Sequence, residues 1–114
     1  MALPTLTPEQ REQALAKAAH ARRRRGELKL DLSNGKITLR SLLEGEYGDY
    51  AADAEVVRKT RMDQLLRAVP RVGAVKAEAI MQQAGIADNR RLAGIGQEQR
   101  RRLIELLKEH DGEE

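Results

Sequence analysis

Apolar positions recur at helical spacing along most of this chain, and polar residues supply a start or a stop for nearly every segment. Thr7-Pro8-Glu9-Gln10 opens the first helix: Thr7 can cap, Pro8 suits the first helical position, and Gln10 stands where a capping box needs it. This helix is predicted over about residues 8–29, with a thin apolar side of Ala14, Leu15, Ala18, Ala19 and Leu28. A stripe made mostly of alanine buries little area, so the helix is expected to lie along the domain rather than inside it. Leu28, Leu30 and Leu32 alternate with charged residues. That pattern fits either an extended step or a helix continued to Leu32, before a turn at Ser33-Asn34-Gly35.

Thr38 is placed to cap a short helix that buries Leu39, Leu42 and Leu43. Residues 45–50, with Gly45, Gly48 and both tyrosines, read as a loop, followed by a helix over about 51–58 that presents Ala52, Val56 and Val57. Thr60 followed by Asp63 predicts a capped start for a helix from Met62 to Val69, which Pro70 stops. The next helix, about 74–84, is expected to bury Val75, Ala79, Ile80 and Met81 and to end at Gly85. Two turns over 86–96 point Ile86, Leu92 and Ile95 inward, and a last helix over about 97–109 packs through Leu103, Leu106 and Leu107. The predicted fold is all-α, a long N-terminal helix followed by a compact helical domain.

With 114 residues the chain has room for one modest core, built without Phe, Trp or Cys. The absence of cysteine excludes disulfides, thiolate zinc sites and cysteine nucleophiles. Two tyrosines leave almost nothing on which to stack bases, which argues against single-strand recognition. No apolar stretch reaches the roughly 18 residues of a membrane span, so a cytoplasmic protein is expected. His20 and His110 lack ligand-spaced companions and are expected to be surface residues; no metal, cofactor, small-molecule substrate or catalytic residue is predicted. The formal net charge of +3 hides a strong polarity. Residues 11–29 carry seven bases against two acids, residues 41–55 carry five acids and no base, and residues 58–103 carry eleven bases against four acids. Such blocks imply separate binding faces. The acidic one is expected to be solubilising or to contact a basic helix, its own or a neighbour's. The run Arg100, Arg101, Arg102 is expected to be solvated and paired with Glu98 or Glu105.

The segment 65–96 carries the most specific chemistry. A helix stopped at Pro70, a turn through Arg71-Val72-Gly73 and a new helix with Val75, Lys76 and Ala77 in its first turn leave backbone N–H groups unpaired at a positive helix end. With Arg71 and Lys76 beside it and no acid between them, the turn suits a phosphate. Residues 65–107 resemble the helix-two-turns-helix module found in a small-subunit ribosomal protein and in formamidopyrimidine-DNA glycosylases. The shared positions are Leu65, Val69, Val72-Gly73, Ala77, Ile80, Gly85-Ile86, Leu92 and the Gln99 to Leu103 helix. With the N-terminal MALPTLTPEQ, the arginine run and the stretch from Asn89 to Gly96, the whole chain resembles the actinobacterial integration host factors, except over 30–55.

The resemblance implies a nucleoid-associated protein that binds duplex DNA with little sequence preference and alters its bending or topology. It carries the backbone contacts onto Arg71, Val72, Gly73, Val75 and Lys76 in the hairpin and onto Arg90 and Arg91 in the second turn. Many such hairpins have glycine in place of Arg71 and a further base in place of Ala93. A second DNA surface is expected at Arg22, Arg23, Arg24, Arg25, Lys59 and Arg61. The organisation expected is a basic helix over 1–32, a DNA-binding domain over 33–109 with the two-turn module at 61–108, and a disordered acidic tail at 110–114. The partner expected is double-stranded DNA, bound by a monomer; RNA or ribosome binding, or a protein-interaction role, are the alternative readings.

Overall fold

The first helix begins as its sequence dictates. Gln10 N donates to Thr7 Oγ1 at 3.1 Å while Thr7 N donates to Gln10 Oε1 at 3.0 Å, a complete capping box. In this computed structural model, which describes residues 5–111, α1 then runs unbroken from Pro8 to Ser33. The extended step at 28–32 does not form. Helical spacing puts Leu28 and Leu32, four residues apart, on one fully buried face, and turns Leu30 to solvent at 63% exposure. From residue 5 to residue 20 every side chain is exposed, so the alanine-rich half of α1 projects from the body and only its end enters the core. The molecule is accordingly elongated, 54 × 32 × 23 Å.

Five further helices follow among the described residues: α2 (Leu39–Leu43), α3 (Ala54–Lys59), α4 (Met62–Ala68), α5 (Gly73–Ala84) and α6 (Gln97–Asp111). Thr38 caps α2, accepting from Ser41 N at 3.1 Å. Where a loop and then a helix from residue 51 were expected, a 3-10 turn spans Gly48–Asp53 and α3 starts only at Ala54. The tighter winding carries Tyr50 inward, 3% exposed, where its hydroxyl donates to Asp31 Oδ2 at 2.6 Å. Burial, reinforced by that carboxylate, pushes the phenol far above its ordinary range.

Thr60 does not cap α4. Its hydroxyl is drawn into the core and donates to Val56 O at 2.7 Å, closing α3, while Arg61 takes the N-cap position of α4 without a side-chain cap. α4 also ends one residue early, because Val69 precedes proline and takes extended backbone. Leu28, Leu32, Leu65, Leu66, Met62 and Leu103 meet in one core, and α4 and α5 form its most extensive helix pair. The end of α1 is tied to the end of α4 by Ser33 Oγ, which donates to Ala68 O at 2.9 Å. α6 continues to Asp111, past the expected end at Glu109; residues 112–114 lie outside the described part.

The acidic stretch finds its partner within the chain. Arg24 donates from Nε to Asp53 at 2.9 Å, from one terminal nitrogen to Glu27 at 2.6 Å and from the other to Asp49 O at 3.1 Å. Its guanidinium lies 4.2 Å from the centre of the Tyr50 ring. His20 Nε2 donates to the second Asp53 oxygen at 2.8 Å. This knot fastens the middle of α1 to the turn before α3.

The hydrogen bond from His20 holds the Asp53 carboxyl below its ordinary 3.8; Arg24 adds to the effect and partial desolvation opposes it. A depressed folded-state pKa contributes stability that is present above 3.8 and lost as pH falls through the lower folded value. Asp53→Asn should therefore unfold at a lower temperature than the parent at pH 6. The gap should close as pH falls below the Asp53 transition, in thermal melts across an acid pH series.

Candidate nucleic-acid interface

The hairpin between α4 and α5 is built by three consecutive backbone choices. Pro70 prevents α4 from continuing, and Val72 N donates back to Val69 O at 3.2 Å, closing the turn. Arg71 and Gly73 both take φ of +69° around Val72 at −79°. This alternation of sign turns successive amides toward one side, the geometry of an anion-binding nest. Left-handed backbone costs a residue with a Cβ about 1–2 kcal/mol, and Arg71 bears it in a position where glycine would be unstrained. The Val72 side chain, buried to 6% exposure, anchors the turn in the core.

Among the described residues no side chain caps the N-terminus of α5, and no acidic residue occupies its first turn. Gly73, Ala74 and Val75 are exposed and Lys76 is half-buried. Val75 was expected in the core; it is instead 85% exposed, because a helix that starts at Gly73 aims Ala77, Ile80, Met81 and Ala84 inward. The prediction mistook an apolar residue at the hairpin rim for part of the buried stripe. Twelve residues long and positive at this end, α5 presents its dipole and its leading amides to solvent.

The second turn is held by four hydrogen bonds. Met62 N donates to Arg90 O at 2.9 Å and Leu92 N donates to Thr60 O at 3.0 Å, which sets Arg61 directly across from Arg91 in an antiparallel bridge. Gln99 joins this turn to the end of α5: Gly96 N donates to its Oε1 at 2.9 Å, and its Nε2 donates to Gly85 O at 2.8 Å. The Gly96 to Gln99 spacing, half of a capping box, was the available signal. Arg90 lies across Gly94, where an added Cβ would stand 2.8 Å from Arg90 Cδ.

The two turns are thus fixed to opposite ends of α4. Seven residues at 1.5 Å each set the turns about 10 Å apart along that helix. Arg90 and Arg91 are exposed, and Arg61, expected on a separate surface, joins Arg91 at this edge while pairing with Asp63 at 2.9 Å. Of the remaining bases expected on that second surface, Arg22 and Arg23 are exposed on α1. Arg25 and Lys59 line a groove of about 350 Å³ between α1 and α3, with Lys17, His20 and Arg58. Arg24 is the exception, its charge neutralised by Glu27 and Asp53. On α6, Arg101 and Arg102 pair with Glu98 and Glu105 as the i, i+3 and i, i+4 spacing requires.

Both histidines serve as fasteners. His20 holds Asp53, and His110, half-buried, contacts Pro70 O through Nε2 at 3.1 Å. Among the described residues no cluster of three His, Asp or Glu could hold a metal, and no helix is long and apolar enough to cross a membrane.

A helix, a tight amide-presenting hairpin, a second helix and a further turn into a third helix define a helix-two-turns-helix protein, and the S13-like H2TH domain family matches residues 32–107. The chain belongs to the integration host factor family of actinobacteria. It is 49% identical over 105 residues to the integration host factor of Mycobacterium tuberculosis, covering 92% of this chain and 95% of that protein. The Streptomyces coelicolor integration host factor is 43% identical over 100 residues, 87% of this chain and 88% of that protein. A solved structure of sIHF bound to an 8 bp palindromic DNA superposes with a TM-score of 0.65 at 35% identity, covering 82% of this chain and 97% of that one.

Backbone geometry makes opposite demands on two glycines, one in the hairpin and one inside α1. Gly73→Ala should lower unfolding stability by about 1–2 kcal/mol, since its φ of +69° admits a Cβ only with strain. Gly26→Ala, inside α1 with open space where a Cβ would go, should raise it by about 0.5–1 kcal/mol. Urea unfolding of the two variants checks both signs.

Proposed function

We propose that this chain is a nucleoid-associated architectural protein that grips duplex DNA by its backbone, with little sequence preference, and alters its bending and topology. The observation that carries this reading is the hairpin: an uncapped helix start, amides turned to one side by backbone of alternating sign, and Arg71 and Lys76 beside them. Arg90 and Arg91 are proposed as the second grip, about 10 Å along α4 from the first. That interval is short enough for both turns to meet neighbouring phosphates of one duplex backbone. The DNA held by the sIHF relative supports the same partner for this chain.

Phosphate contacts of this kind position a protein without reading bases. The hairpin offers no Asn or Gln to a base edge; its side chains are Arg71, Val72, Ala74, Val75 and Lys76. Val75, at 85% exposure, is placed to press on the sugar face beside the gripped phosphates. A second and weaker surface is proposed along α1 and its groove with α3, at Arg22, Arg23, Arg25 and Lys59, without Arg24. In this proposal the protein acts as a monomer, confined to the cytoplasm with the chromosome, and has no catalytic role.

With about five phosphates neutralised, the log–log dependence of affinity on salt should have a slope near −4.5 and should hardly change between unrelated duplexes. Arg90→Ala combined with Arg91→Ala should weaken binding alike on every sequence and bring the slope closer to zero by about 2. Gel shifts across a salt series measure both. A flat salt response, preference for one sequence, or tighter binding to structured RNA than to duplex DNA would contradict the reading.

A further inference from the structure

The end of α6 reaches the hairpin through one side chain. Leu103, Leu106 and Leu107 bury that helix in the core, and three residues further on His110 contacts the Pro70 carbonyl through Nε2 at 3.1 Å. A carbonyl only accepts, so Nε2 carries a hydrogen and donates it. The other ring nitrogen, Nδ1, is enclosed and has no hydrogen-bond partner among the described residues. Burying a nitrogen in that way is unfavourable. An apolar side chain would fill the same space without that penalty, so packing does not account for a histidine here. The donated hydrogen bond does.

The bond is made where the hairpin is set. Proline fixes its own φ but not its ψ, and ψ decides which way the Pro70 carbonyl points. That carbonyl and the N–H of Arg71 share one peptide plane, so holding the carbonyl fixes the plane from which Arg71 enters the turn. Arg71 takes φ of +69°, a conformation that a residue with a Cβ keeps only when its surroundings impose it. The bond from Val72 N to Val69 O at 3.2 Å closes the turn from the other side. From there the chain runs directly into the amides of Gly73, Ala74 and Val75.

We propose that His110 is a positioning residue for the hairpin, holding the Pro70–Arg71 peptide in the orientation that aims the amides of 73–75 at a phosphate. The inference rests on the hairpin being the phosphate site. His110 touches no phosphate itself and acts through Pro70. The same helix holds the second turn near its other end, where Gln99 bonds Gly96 N and Gly85 O. One buried helix thereby steadies both grips.

Variants of the full chain, compared in gel shifts across a salt series, test the role. His110→Phe and His110→Leu stay apolar and lose the donor. Each should weaken duplex binding about three- to tenfold and bring the log–log slope closer to zero by about 1, the loss of one phosphate contact. His110→Gln offers an amide N–H in place of Nε2 and should restore both; being uncharged, it also excludes an effect of ring charge. In the free protein, the amide resonances of Gly73, Ala74 and Val75 should move in the Phe and Leu variants and return in the Gln variant. Ser33→Ala is the control: it removes the nearby bond to Ala68 O and should lower stability without changing the slope. Equal weakening by Ser33→Ala, no recovery with His110→Gln, or parental affinity in His110→Phe and His110→Leu would overturn the positioning role. Arg71→Gln with Lys76→Gln separates that failure from failure of the site. If this pair weakens binding, the hairpin reading stands; if binding keeps its parental strength, both readings fall.

Discussion

The distance between two turns is the constraint on which this structure depends, and a helix of seven residues sets it. At one end of α4, Met62 N and Thr60 O take up the backbone of the second turn. At the other, Pro70 and the closing bond from Val72 N to Val69 O fix the hairpin. Met62, Leu65 and Leu66 bury one face of the same short helix completely, so neither end can slide without opening the core. The long alanine-rich helix, the small α2 and the 3-10 turns build walls around that spacer. Loss of a bond at either end would leave bases on the surface but remove their mutual placement. In the proposed reading, two contacts on a regular polymer reinforce each other most when their separation matches the span between its binding points.

Charge is distributed in the service of the same geometry. Of the four consecutive arginines on α1, the one that faces inward is consumed by Glu27, Asp53 and the Tyr50 ring. Its neighbours Arg22 and Arg23 stay in solvent. The acidic stretch therefore has a structural task, fastening a helix that has too little apolar surface to hold itself down. It also keeps carboxylates gathered on a segment distinct from both turns of the two-turn module. The α6 arginines are handled differently, answered by Glu98 and Glu105 along their own helix, where exposed pairs contribute little stability but tie up charge.

Much of this was legible in the chain because local signals and global packing agree. The capping box at Thr7 and Gln10, the stop at Pro70, the αL cap at Gly85 and the buried leucines of α6 all lie where their residue types demand. The family is equally legible, and the structural description accords with it. What residue pattern could not show is what depends on contacts distant in sequence. Thr60 looked like a cap and became a buried strut because Val56 offers its hydroxyl an acceptor. Val75 looked like core because its class is apolar, and only the true start of α5 reveals that it faces out. Arg61 was separated from Arg91 by thirty positions of sequence, and a backbone bridge makes them neighbours. His110, expected to be a surface residue, closes onto the hairpin forty residues away.

Backbone amide resonances followed during titration with a short duplex test the central claim most directly. If the hairpin amides grip phosphate, the N–H signals of Gly73, Ala74 and Val75 should move downfield together. Those of Arg90 and Arg91 should move at the same DNA concentration, and added salt should return both sets in parallel. Shifts confined to the groove between α1 and α3, with the signals of 73–75 unmoved at saturation, would contradict the account.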